Sequence, residues 1–577
     1  MEETLKNLQA GIASDLLVLS ISKEPSHFNQ QQSCVAASLP MYCTTASQPR
    51  PDHKDKISVV DGAMKRIGAA TPQLTHRNAH KIRRYARRHI FKQFRQITMD
   101  ELETVEEWID NINQPEKRKE QLREAYRELQ DNADVRDMNR VGSFIKDECY
   151  PSQKAVRWIN ASDDRVKVCM GPYTNVIMHR LCEHPAMIKV VPVKERAKTI
   201  FDALYAEGAV YHAADYTSFE SHFTRVKMQI AHDFYRYMLE PCGKTIGGRL
   251  VDSLNWESCQ LLYSLLDEVI SGSRIMRMRG FGSLSVQARR MSGEMDTSLG
   301  NTFTNFVMVN FMAFYKSKGR VTTVPCFVEG DDSVARYPPG AGPTEADFAA
   351  FGWIVKVEIH TQINTMSFCG MVFAPEDLVV VADPTEIVAK FGWTNRKYVR
   401  SGSKLKKGLL RAKALSMCCE YGQVPVVGAL ARRILYHTRT VNIRKSIIDN
   451  MDSYHRDRYL QSVGKEKKPW EKEFNPPHET RLLVEELYDI SIDKQIRLEK
   501  QIEQLPFAPF ELDMPFTPHQ IHNMTRVGPE REREYPITIA RKELIKYLDE
   551  ILHTHRSSHP AGEDLASLLR SYYPFRK

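Results

Sequence analysis

Val324–Tyr337 reads VPCFVEGDDSVARY. Two β-prone stretches, PCFVE and SVARY, flank Gly330-Asp331-Asp332, the pattern of a hairpin with acids at its turn. Adjacent carboxylates are costly unless a cation neutralises them. The triplet alone is weak evidence, because average residue frequencies place a GDD in a chain this long by chance roughly one time in ten or twenty. Asp163-Asp164 is a built-in control, an acid pair without flanking strand pattern.

Working outward, Ala209–Phe223 reads AVYHAADYTSFESHF. An apolar run ends in Asp215, and a strand ending there presents its carboxylate where α/β sites gather ligands. A turn and helix start at Thr217 or Ser218 returns Glu220 to the same pocket. Asp215 and Asp331, assisted by Asp332, then suit a pair of Mg²⁺ ions, held about 3.5–4 Å apart in phosphoryl-transfer sites. Met291–Asn305, MSGEMDTSLGNTFTN, opens with the loop Ser292-Gly293 and places Thr297 and Asn301 on one helix face. Small polar side chains there suit a nucleotide platform, and an ordinary N-capped helix fits the same spacing.

The order D-x4-E, SG-x3-T-x3-N and GDD resembles palm motifs A, B and C of RNA-dependent RNA polymerases of positive-strand RNA viruses, with the tombusvirus-like group the nearest match. Ser143–Asn160 resembles motif F, which implies that Lys146, Lys154 and Arg157 lie against the triphosphate. FGWIVKVE, 351–358, is similar to motif D and makes Lys356 a candidate general acid for pyrophosphate. SFCGMVF, 367–373, looks like motif E, so Phe368, Cys369 and Gly370 are expected to support the 3′ end of the growing strand. The resemblance implies that Glu220, Ser292, Gly293, Thr297 and Asn301 read the sugar. Many relatives have Asp where this chain has Glu220, one methylene longer.

The implied fold is α+β, a right hand whose palm has an antiparallel sheet carrying the GDD hairpin. Its expected parts are a flexible extension over 1–60, fingers over 61–205 and 241–285, a palm over 206–240 and 286–395, and a helical thumb and C-terminal region over 396–577. The implied activity is RNA-directed RNA synthesis from NTPs with two Mg²⁺ ions, Mn²⁺ substituting. Two alternatives stay open: a non-catalytic RNA-binding replication factor with this fold, and a DNA-making polymerase. The implied partners are template and product RNA, NTPs, other viral replication proteins and, through them, host membranes. The expected location is the host cytoplasm at membrane-associated replication sites.

The rest of the chain agrees with this class. Its 577 residues carry 81 Lys plus Arg against 72 Asp plus Glu, and 42% are hydrophobic, which excludes whole-chain disorder and a small disulfide scaffold. Arg77, Lys81, Arg83, Arg84, Arg87, Arg88, Lys92 and Arg95 form a basic run without an internal acid, so an external polyanion, nucleic acid or phospholipid, is the expected counter-charge. With 396–413 it is expected to line the RNA path, Arg83, Arg84, Arg87 and Arg88 contacting RNA. No apolar run approaches the about 20 residues of a membrane span, and MEETLKNLQAGIASDLL lacks the layout of a secretory signal. Eleven scattered cysteines without C-x-x-C read as free thiols. LPFAPFELDMPF, 505–516, cannot be regular helix or sheet and is expected to enter the active-site cleft as a priming platform.

Overall fold

The computed structural model describes residues 16–21, 37–46, 59, 62–69, 71–131, 134–146, 156–243, 253–278, 282–394, 396–449, 451, 453–464 and 468–516. Its strands are β1 (Leu16–Ile21), β2 (Ala37–Ser38), β3 (Arg140–Ile145), β4 (Trp158–Ser162), β5 (Tyr211–Tyr216), β6 (Ser273–Met278), β7 (Gly282–Gln287), β8 (Cys326–Glu329), β9 (Asp332–Arg336), β10 (Val355–His360), β11 (Val372–Ala374), β12 (Val379–Val381) and β13 (Trp393–Thr394). One sheet runs β1-β7-β6-β3-β4, and a second runs β10-β5-β9-β8. Neighbours in the second sheet are antiparallel throughout.

Helices α1 (His76–Tyr85), α2 (Glu116–Asp131), α3 (Asp164–Cys182), α4 (Arg225–Met238), α5 (Thr297–Lys316), α6 (Ser403–Tyr421), α7 (Val427–His437), α8 (His478–Tyr488) and α9 (Ile492–Gln504) surround the sheets. Helix α5 is buried along nearly its whole length, from Thr302 to Ala313, because apolar side chains occupy all its faces. Phe303 stacks on Phe234 of α4 at 3.9 Å, and Phe311 meets Tyr85 of α1 at 5.5 Å. These rings belong to the largest core. Helices α8 and α9 pack on a second core with α6 and α7.

Two expectations are corrected here. Residues 37–46 are not a loose extension: Leu39, Met41 and Cys43 are buried in the second core, and β2 pairs with β13. Their three apolar side chains supply the anchoring that the Ser- and Thr-rich composition conceals. The Pro/Phe segment does not enter a cleft. Phe510, Leu512 and Met514 are buried in that same core, and Leu505 O accepts bonds from Arg433 and His437. Phe510 N donates to Tyr42 O at 3.1 Å, and Thr44 N donates to Phe510 O at 2.7 Å. The segment is a strap that fastens residues 42–44 to the C-terminal helices.

Candidate active site

Glu329 pairs with Asp332 across β8 and β9, leaving Gly330 and Asp331 as the two-residue turn. Gly330 has φ +65°, which suits glycine at the first turn position of a type II′ hairpin. An added Cβ there would meet nothing within 4 Å, so the requirement is conformational. Helix α5 fixes the turn from beneath. Thr302 Oγ1 accepts from Gly330 N at 3.0 Å. Asn305 Nδ2 points at the carbonyls of Gly330, Asp331 and Asp332, at 3.2, 3.0 and 3.1 Å. The sequence reading missed both residues. The available signal was polar side chains three apart on an otherwise apolar helix.

The sheet register brings in Asp215. Tyr211 pairs with Arg336 and Ala214 with Ser333, so one step further along β5 Asp215 stands beside Asp332. On its other side Asp215 pairs with Lys356 of β10. Burial raises the carboxyl pKa values of Asp215, Asp331 and Asp332. The Glu220 and Asp215 charges push Asp331 up further, while Arg157 opposes them. Asp332 reaches about 7, through burial first and then the charges of Asp331 and Asp215. Such a crowd of hard oxygen donors fits a divalent cation, which would relieve both the desolvation and the repulsion. Among the described residues no three such side chains are gathered at coordinating distance.

The control pair behaves differently. Asp163 caps α3 by accepting from Arg165 N at 2.9 Å. Asp164 takes a two-pronged contact from Arg118 at 2.6 and 2.7 Å and another from Lys167 at 2.7 Å. Burial raises the Asp164 pKa, but these hydrogen bonds outweigh it and hold the carboxyl below its usual range.

Four of the sugar-reading candidates, Ser292, Gly293, Thr297 and Asn301, lie at or just before the α5 N-terminus. Ser292 O accepts from Asn160 N at 2.5 Å, which ties the loop to β4. Gly293, at φ +114°, leaves only 3.0 Å between a built Cβ and Ile159, so a side chain would both strain the backbone and crowd the strand. Thr297 Oγ1 donates to Met291 O at 2.9 Å. Asn301 Oδ1 is buried and finds no partner. Beneath the loop, Arg290 pairs with Asp296 at 2.5 Å and Arg274 with Glu294 at 2.8 Å, all four side chains fully buried. Glu220 lies on a 3₁₀ turn, Phe219–His222, entered through Ser218 at φ +55°. It pairs with Arg66, a residue the sequence reading missed because its turn, Met64–Gly68, lies far away in the chain.

Lys146 N donates to Arg157 O at 2.8 Å, closing the described end of the β3–β4 pair, and Lys154 lies outside the described residues. Lys356 is exposed and pairs with Glu358, which raises its pKa. Phe368–Met371 is a tight turn with bonds of 2.8 and 3.0 Å, its centre being Cys369 (φ +53°) and Gly370 (φ +71°). Cys369 Sγ donates to Glu329 Oε2 at 3.8 Å, so this turn abuts the acidic hairpin. The Phe368 ring is only 2% exposed. It is a core side chain, and its expected contact with RNA is corrected accordingly.

An acid of another helix answers part of the basic run. Asp233 of α4 accepts from Arg83 at 2.7 and 2.9 Å and from Arg87 at 2.9 Å. Arg83 and Arg87 thus direct part of their charge into the protein. Arg84 and Arg88 stay exposed.

No curated protein matches the chain closely enough to count as a relative. The profile of a viral RNA dependent RNA polymerase family matches residues 144–506, well over half of the chain. That span contains β5, the α5 N-terminal loop and the acidic hairpin. The chain therefore belongs to the viral RNA dependent RNA polymerase family, and its activity is RNA-directed RNA synthesis, a nucleotidyl transfer.

Proposed function

We propose that the acidic hairpin and its neighbours are the nucleotidyl-transfer centre of a right-hand replicase, nearest the tombusvirus-like group. In this reading the second sheet is the palm, within 206–240 and 286–395. The first sheet, apart from β1 and the last residues of β7, falls within the fingers, 61–205 and 241–285, and α6–α9 belong to the thumb. One observation carries it: the register that puts Asp215 beside Asp332, next to a turn fastened by Thr302 and Asn305.

Asp215, Asp331 and Asp332 would hold two Mg²⁺ ions. When bound, these lower the pKa of the attacking 3′-hydroxyl and neutralise charge on the departing pyrophosphate. Arg157, whose charge already reaches Asp331, steadies the triphosphate together with Lys146 and Lys154. Lys356 stands on the Asp215 side of the sheet, where its ammonium is placed to protonate or neutralise pyrophosphate. Asn301 contributes the buried acceptor Oδ1 toward the ribose 2′-hydroxyl, and Glu220, fixed by Arg66, would share in reading the sugar. The Cys369-Gly370 turn supports the 3′ end from beside the hairpin. No helix among the described residues is long and apolar enough to cross a membrane. The proposed place of work is membrane-associated sites in the host cytoplasm, reached through other replication proteins.

The test is extension on an RNA template with NTPs and Mg²⁺. The parent is expected to make template-length product, and Asp331→Ala none. Undiminished synthesis by Asp331→Ala would overturn the metal assignment.

A further inference from the structure

The outer face of α1 carries cations that find no acidic partner among the described residues. Arg77, Lys81 and Arg84 recur at spacings of four and three, and Arg88 continues the line into the next turn. All four are exposed, while Ala79, Ile82, Tyr85, Ala86 and Ile90 face inward. Among the described residues no carboxylate pairs with any of these four; Asp233 beneath them is taken by Arg83 and Arg87. The stripe borders a cleft of about 280 Å³ lined by His80, Arg83, Arg84, Arg87 and Arg88. It shares His80 and Arg83 with a larger cleft of about 420 Å³ that reaches Arg225 and Gln229. No acid lines either.

An ordinary solvated helix face looks different, and α2 provides one. There Arg123 reaches Asp110, Glu116 and Glu120 at 2.6, 2.8 and 3.3 Å, and Arg127 reaches Glu120 and Glu124 at 3.2 and 2.5 Å. Helix α2 supplies most of its own counter-charge, and among the described residues the α1 stripe has none.

The stripe also lies away from the acids. Thr302 and Asn305 of α5 grip the catalytic turn. The basic segment packs elsewhere on that helix: Tyr85 and His89 on Phe314 at 5.0 and 5.3 Å, Phe91 on Phe303 at 6.0 Å. At about 100° per residue, Phe303 and Phe314 project well over a right angle from the Thr302–Asn305 side.

We propose that this face is a second RNA-binding surface, separate from the cleft where nucleotides are added, which holds the phosphate backbone of RNA outside that cleft. Guanidinium forks in a concave, acid-free groove suit phosphate oxygens. An anionic bilayer is less favoured, because none of the exposed large apolar side chains lies between 76 and 95 to enter lipid.

The test measures RNA binding by fluorescence anisotropy with the full chain, Arg84→Glu/Arg88→Glu and the milder Arg84→Gln/Arg88→Gln. One probe is a single strand of about 8 nucleotides, the scale of a single groove. The other has about 40, enough to run beyond the cleft. On the long strand the variants are expected to lose affinity at least about tenfold, with a log–log salt slope shallower by roughly 1.4, the value for two lost phosphate contacts. On the short strand affinity is expected to hold. Equal loss on both would place α1 in the catalytic path and overturn a separate surface, and no loss on either would remove the RNA assignment. Should only binding to phosphatidylserine-containing vesicles fall, the surface is a membrane one and the proposal fails. If the glutamate pair unfolds the protein, the glutamine pair decides by the same criteria.

Discussion

Asp163-Asp164 and Asp331-Asp332 are one dipeptide in two settings. At the first, the protein answers each negative charge itself, with a helix N-terminus for Asp163 and Arg118 and Lys167 for Asp164. The result is a carboxyl held low. At the second, a neighbouring strand adds a third acid, the charges of Lys356 and Arg157 offset the burial only in part, and all three carboxyls are raised. A protein that buries charge without answering it gives up stability. In the proposed reading the difference separates an acid pair that serves the fold from one that awaits an external cation.

Matched substitutions sharpen that contrast most. Asp331→Asn is expected to cut nucleotide incorporation by a factor of about 10³ or more, as removal of electrostatic stabilisation does at comparable sites. It should leave thermal stability equal or higher, because a buried, repelled charge is gone. Asp164→Asn should do the reverse, keeping incorporation within a few-fold while costing about 1–2 kcal/mol in denaturant unfolding. Similar kinetic losses in both would erase the distinction.

The next effect probes the turn's support. Asn305→Leu leaves three carbonyls without their shared donor and should lower kcat about 10–100-fold, the cost of misplacing a reacting group by an ångström. A rise in the Mg²⁺ concentration needed for half-maximal rate is expected alongside it, whereas a purely structural defect would lower active protein and leave that concentration alone. Smaller still is the expected effect of Arg66→Ala. Releasing Glu220 should narrow the preference for NTP over dNTP several-fold, read as the ratio of the two kcat/KM values. An unchanged ratio would separate Arg66 from sugar selection.

The smallest effect concerns a third setting, the buried Arg290–Asp296 pair. His232 lies near it, fully buried, with Nδ1 3.4 Å from Ser271 Oγ. Burial lowers its pKa to about 4, the Asp296 and Asp267 charges pulling upward and those of Arg290 and Arg236 downward. The unfolded chain takes up this proton near 6.5. Stability from this group is therefore complete above that pH and falls as pH drops toward 4, by up to about 1.4 kcal/mol per pH unit. Denaturant unfolding from pH 7 to pH 5 should show a shallower decline in His232→Gln.

The strands of the candidate site were legible in the sequence because local pattern determines them. PCFVE and SVARY became β8 and β9, and the apolar run before Asp215 became β5, which continues one residue further to Tyr216. What escaped was long-range pairing. Nothing near Arg66 announces Glu220, and nothing in the basic run announces Asp233. Leu39 and Met41 are hidden in a polar-looking segment, since a strap needs only a few apolar anchors. The Phe-rich 505–516 stretch was apolar for the same reason, a partner core, and the cleft had no part in it.

Mn²⁺ binding followed by electron spin resonance, with a non-transferable NTP analogue present, tests the central claim most directly. Tight Mn²⁺ sites are expected in the parent and in Asp164→Asn, and their loss in Asp215→Asn and Asp331→Asn. Equal Mn²⁺ binding by all four proteins would contradict the assignment of these acids as the metal cradle.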